Sequence, residues 1–126
     1  MIRGNSFSLT VLMVGLFGTL ESFAQDSFLN FETAQVSPLA ISPDGTTIAA
    51  CNTPDNRVEI FDVSTGVPFP IRSIPVGLDP VSVRFRTNTE LWCANFISDT
   101  VSVIDVEAGM VRATIQTLDE PADVEF

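Results

Sequence analysis

Carboxylates, amides and thiols are the side chains in this 126-residue sequence with potential for chemistry, and several of them recur at a fixed interval. Asp62 and Asp105 stand 43 positions apart, and so do Asn52 and Asn95. Two carboxylates at a set interval are the pattern that acid–base chemistry would use. Their neighbours point elsewhere. Asp62-Val-Ser-Thr-Gly66 and Asp105-Val-Glu-Ala-Gly109 share an Asp-to-Gly layout. An aspartate that bonds nearby backbone amides, followed by a glycine free to adopt positive φ, is a turn. That reading covers both copies without invoking catalysis. Asn52 and Asn95 end alternating segments and are read the same way. Ser42-Pro43-Asp44-Gly45 is a third turn, with φ set at the proline and released at Gly45.

The remaining chemistry is thin. The sequence has no His, so it has no imidazole base or imidazole metal ligand. No Gly-rich phosphate loop leads into a helix, and no Asp-x-Asp-x-Asp-Gly calcium spacing occurs. Asp44, Asp55 and Asp99 fall in loops and read as solvated carboxylates. No catalytic residue, metal site or cofactor is expected. Cys51 and Cys93 match no metal or redox spacing. They fall in equivalent segments one residue out of step, so their side chains point to opposite faces of their own sheets. Because neighbouring sheets pack opposite faces together, the two can approach. Stacked sheets lie ~10 Å apart and a disulfide needs a Cα separation of ~4.4–6.8 Å, so free thiols are the expectation.

The elements that must position these residues also repeat. Pro38, Pro80 and Pro121 each open an alternating segment, and NRVEIFDVSTG (56–66) aligns without a gap on DTVSVIDVEAG (99–109). A period of about 40–45 residues made of short strands indicates β-propeller blades. Each copy divides into four strands. The first lies near 39–42 and 81–86, and the second spans Thr47 to Cys51 and Glu90 to Ala94. The third spans Arg57 to Asp62 and Thr100 to Ile104, and the fourth Ile71 to Val76 and Val111 to Thr117. In TVSVID, Val101 and Val103 share one face and Ser102 and Ile104 the other, the period-2 pattern of a strand. The fold class is therefore all-β, with four-stranded antiparallel blades in an incomplete propeller.

These motifs resemble the YVTN β-propeller repeat. Trp92-Cys93-Ala94-Asn95 and Ala49-Ala50-Cys51-Asn52 stand at the strand that gives that family its name. Thr100 to Asp105, Ser42 to Gly45 and Ile74-Pro75-Val76-Gly77 follow its pattern, and the likeness covers roughly residues 36–126. The second copy departs from it at Arg86-Thr87-Asn88, where Ser-Pro-Asp-Gly would stand.

The expected organisation is a signal peptide at 1–24, an N-terminal segment at 25–37 and two blades at 38–79 and 80–120. The first strand of a third blade then occupies 121–126. Arg3, the apolar run 9–20 and Ser22-Phe23-Ala24 have the three-part layout of a secretory signal. At 12 residues the run falls short of the ~20 that a spanning helix needs. Phe28 to Thr33 reads as a blade-completing strand. Closure of a propeller takes typically 4–8 blades, so two blades imply the N-terminal part of a longer protein or a truncated gene product. Alone they would expose sheet edges and apolar faces and self-associate.

All six cationic side chains are Arg, and the net charge is −10. That balance repels phosphate backbones and anionic lipid, so neither nucleic acid nor, once the signal is cleaved, a membrane surface is an expected partner. Trp92 is expected to fill a space between blades, and Arg84 to pair with Glu125 across successive first strands. The resemblance implies a secreted or periplasmic non-enzymatic scaffold that takes a protein or small ligand on its propeller loops. The alternative is part of a propeller enzyme such as a lactonase, or of an electron-transfer dehydrogenase subunit.

Overall fold

The computed structural model describes residues 33–126. The signal peptide expected at 1–24 lies outside them, as does nearly all of the strand expected at Phe28 to Thr33. Eight strands follow in chain order: β1 (Leu39–Ile41), β2 (Thr47–Asn52), β3 (Arg57–Asp62), β4 (Phe69–Pro75), β5 (Pro80–Phe85), β6 (Glu90–Asn95), β7 (Thr100–Asp105) and β8 (Met110–Gln116). They form two four-stranded antiparallel sheets in the orders β1-β2-β3-β4 and β5-β6-β7-β8. The structure is thus all-β, with two propeller-like blades that do not close into a ring.

The sequence alternation fixes which face of each sheet is apolar. In the first sheet Cys51 pairs with Val58 and Ala49 with Ile60, and Val58 pairs onward with Ile74. In the second, Val83 pairs with Cys93, and Leu91 pairs with Ile104. These residues, with Val106, form one hydrophobic cluster between the sheets, and all but Cys51 are buried. A fully buried Ile or Leu contributes about 1.5–3 kcal/mol relative to exposure, so Ile60, Ile74, Leu91 and Ile104 carry much of the attachment between blades.

The fourth strands begin earlier than alternation alone suggests, at Phe69 and Met110. The cause is a bulge at the same place in each copy. Ile60 pairs with Arg72 but Phe61 with Pro70, leaving Ile71 unpaired. Likewise Val103 pairs with Ala113 and Ile104 with Val111, leaving Arg112 unpaired. An extra residue in one strand bends it and increases its twist.

The two sheets fan apart from one edge. At β1 and β5 they meet at hydrogen-bonding distance. Val36 N and Ser37 N donate to Val81 O at 3.1 and 3.3 Å, and Val83 N donates to Ser37 O at 2.9 Å. A parallel bridge joins Ser37 to Ser82. At the opposite edge β4 and β8 are mostly exposed. Residues 121–126, read as the opening strand of a third blade, carry no strand here. Among the described residues the segment has no ladder partner, and side-chain contacts to the second sheet hold it instead.

Candidate channel-edge site

The narrow edge of the fan carries a polar cluster built on β5 and the segments beside it. Alternation along β5 turns Ser82 and Arg84 to the same face. Arg84 donates from Nε to Asp123 Oδ1 at 3.2 Å and from Nη2 to Asp123 Oδ2 at 2.8 Å. Ser82 Oγ donates to the same Oδ1, and Arg84 Nη2 also donates to Ser37 Oγ at 3.0 Å. The partner of Arg84 is therefore Asp123 and not Glu125. Both acids fall on one face of an extended segment, and Asp123 is the one that meets the guanidinium fork and the Ser82 hydroxyl together. Hydrogen bonding to Arg84, reinforced by Ser82, holds the Asp123 carboxyl well below the usual carboxylate range. The same pair raises the already high pKa of Arg84, which stays cationic.

Beside this cluster, Thr53 Oγ1 donates to Pro80 O at 2.8 Å and receives Gln35 Nε2 at 2.6 Å. Asp79, just before β5, is buried and has φ 60°. Its N–H donates to Asn56 Oδ1 at 2.8 Å, while its Oδ2 has no partner among the described residues. The Asp79-Pro80 step was the only sequence signal for this residue.

At one end of the strands lie the hairpin turns. Asp44 Oδ1 accepts from Ser42 Oγ at 2.6 Å, Thr46 N at 3.0 Å and Thr46 Oγ1 at 2.8 Å. These bonds, that from Ser42 foremost, lower its pKa. Asp62 Oδ1 accepts from Ser64 N at 2.8 Å, and Ser64 holds that carboxyl low as well. Asp105 Oδ1 accepts from Ala108 N at 2.9 Å. Gly45, Gly66 and Gly109 have φ of 73°, 82° and 71°. These turns lie apart from the Arg84 cluster. Two of them, with Asn88, border a cleft of about 510 Å³ between the blades, where Arg72 Nη2 donates to Glu107 O at 2.6 Å. Asp44 N donates to Asn88 Oδ1 at 3.0 Å across it.

At the other end, Asn52 Nδ2 donates to Asp55 Oδ2 at 3.1 Å and Glu59 Oε1 at 3.0 Å. Asn95 is fully buried: its Nδ2 donates to Thr100 Oγ1 at 3.1 Å and Ser102 Oγ at 2.9 Å. Trp92 lies half-buried on the face of the second sheet that points away from the first. Its Nε1 donates to Glu90 Oε1 at 2.8 Å, and its ring meets Phe126 edge-on at 5.2 Å. Cys51 and Cys93 are free thiols. Among the described residues no group of three or more His, Cys, Asp or Glu is placed to hold a metal, and no helix is long and apolar enough to cross a membrane.

No family model matches the chain, and no curated protein matches it. Solved structures do. Kuenenia stuttgartiensis hydrazine synthase is similar at 24% identity and a TM-score of 0.64, over 79% of this chain and 28% of that one. A putative 6-phosphogluconolactonase from Bacteroides fragilis is similar at 21% identity and a TM-score of 0.63, over 71% and 28%. A second, from Bacteroides uniformis, gives 25% identity and a TM-score of 0.53, over 68% and 28%. The chain thus spans little more than a quarter of the length of each.

Proposed function

We propose that this chain is a portion of a propeller of YVTN-type repeats, and that the propeller is an enzyme of the lactonase kind. Its two blades form part of the wall, with the narrow β1–β5 edge toward the central channel. Ser37, Ser82, Arg84 and Asp123 line that edge. Arg84 there meets the anionic group of a sugar-acid lactone, with the Ser37 and Ser82 hydroxyls beside it. The polar cluster around Arg84 carries this reading. A planar guanidinium fork suits carboxylate and phosphate, and Asp123 keeps it oriented until a ligand anion competes for it. Likeness to two putative 6-phosphogluconolactonases supports the choice of reaction class.

The test is hydrolysis of 6-phosphogluconolactone by the protein purified from its native cells, in whatever assembly it occurs there. Turnover is expected, and Arg84→Met is expected to lower kcat/KM by roughly tenfold or more, mainly through KM. Absence of turnover, or turnover indifferent to Arg84, overturns the reading. A second reading, an exported non-enzymatic binding scaffold, is favoured by the apolar outer face of the first sheet, where Leu39 and Ile41 are 66% and 58% exposed. Binding of the lactone's acid product without lactone turnover would favour the scaffold.

A further inference from the structure

Cys51 and Cys93 are the only cysteines, one in each sheet, and the function above uses neither. Their placement is not incidental. Cys51 N donates to Pro38 O at 2.8 Å. The preceding residue, Ser37, forms the parallel bridge to Ser82, and the next residue after Ser82, Val83, pairs directly with Cys93. The two cysteines are thus linked through the tightest seam between the sheets. Two residues beyond each cysteine the sheets are again tied, since Thr53 Oγ1 donates to Pro80 O and Pro80 pairs with Asn95.

Packing agrees with the backbone. Both side chains face the single inter-sheet core, Cys93 within it and Cys51 against it. The neighbouring core position on β2 is Ala49, which puts little bulk between the sheets. The hydrogen-bonded Ser37–Ser82 seam holds the sheets beside the cysteines closer than ordinary stacking, the direction a bridge requires. Cys93 Sγ donates to Asn95 Oδ1 at 3.5 Å, and the nearby Cys51 thiol, with burial, raises its pKa. Cys51 is the more exposed of the two, half-buried where Cys93 is buried.

We propose that Cys51 and Cys93 form an oxidation site: a low-molecular-weight disulfide converts them to a disulfide that clamps the two blades together. The Cys51 thiolate attacks the small disulfide, giving a mixed disulfide at Cys51 and releasing one small thiol. Cys93 then loses its proton and attacks the Cys51 sulfur, releasing the second small thiol. The protein loses two hydrogens and the small disulfide gains them.

The experiment is incubation of the folded protein with oxidised glutathione, followed by intact mass and non-reducing peptide mapping. The expected product is lighter by two hydrogens, carries the Cys51–Cys93 linkage, and unfolds roughly 10 °C higher than its reduced form. Cys51→Ser, a nearly isosteric change at a half-buried position, should show neither the mass change nor the shift. A protein that stays dithiol, stops at a glutathione adduct on Cys51, links between molecules, or forms the bridge only in denaturant overturns the proposal.

Discussion

Asn95 shows how a polar residue can serve a core. Its amide is fully buried and bonds the Thr100 and Ser102 hydroxyls across β6 and β7. Asn95→Ala would leave the Ser102 hydroxyl without its partner while Thr100 keeps Ser98, and a loss of about 1–3 kcal/mol in urea unfolding is expected. Asp123 has the opposite setting, on the surface in a two-pronged contact with Arg84. Its folded pKa is depressed, so the contribution of the pair is fully present above the ordinary carboxylate value. It is lost as pH falls through the folded value. Asp123→Asn should therefore cost about 0.5–1 kcal/mol at neutral pH, with the gap to the parent shrinking in acid and in high salt. The turn glycines were legible from sequence because positive φ is a local demand. The partner of Arg84 was not, because Asp123 and Glu125 fall on the same face and only the path of the segment after β8 decides between them.

At the scale of elements, third strands such as TVSVID were read closely, since β-branched alternation there coincides with burial between neighbours. The bulges at Ile71 and Arg112 were not legible. A bulge leaves no mark in alternation beyond a slip, and the slip looks like an insertion. Segment 121–126 also reads as a strand by pattern, yet a strand is made by its ladder, and among the described residues no ladder partner lies beside it. The outer face of the first sheet follows from the same logic. Leu39 and Ile41 share a face with their ladder partners Ala50 and Ile48, pointing away from the second sheet. Leu39→Lys with Ile41→Lys should leave unfolding stability within about 0.5 kcal/mol while reducing self-association in light scattering. Unchanged association would show that this face is not where copies meet.

For the whole molecule, the period of the repeat carried more information than any motif within it. It placed two four-stranded sheets in order, because a blade buries its faces only against other blades and every copy must keep the same apolar pattern. It said nothing about the Ser37–Ser82 seam, which depends on how two sheets approach and not on either one. The narrow edge, the Arg84 cluster and the approach of Cys51 to Cys93 all rest on that seam. The most direct test is a nuclear Overhauser map of the uniformly labelled protein in solution. Close contacts are predicted from Ser37 to Ser82 and Val83, and from Ala49 to the Leu91 and Cys93 core positions, together with a slowly exchanging Val83 amide. Intact contacts within each sheet, with none between Ser37 and β5 and rapid exchange at Val83, would contradict it.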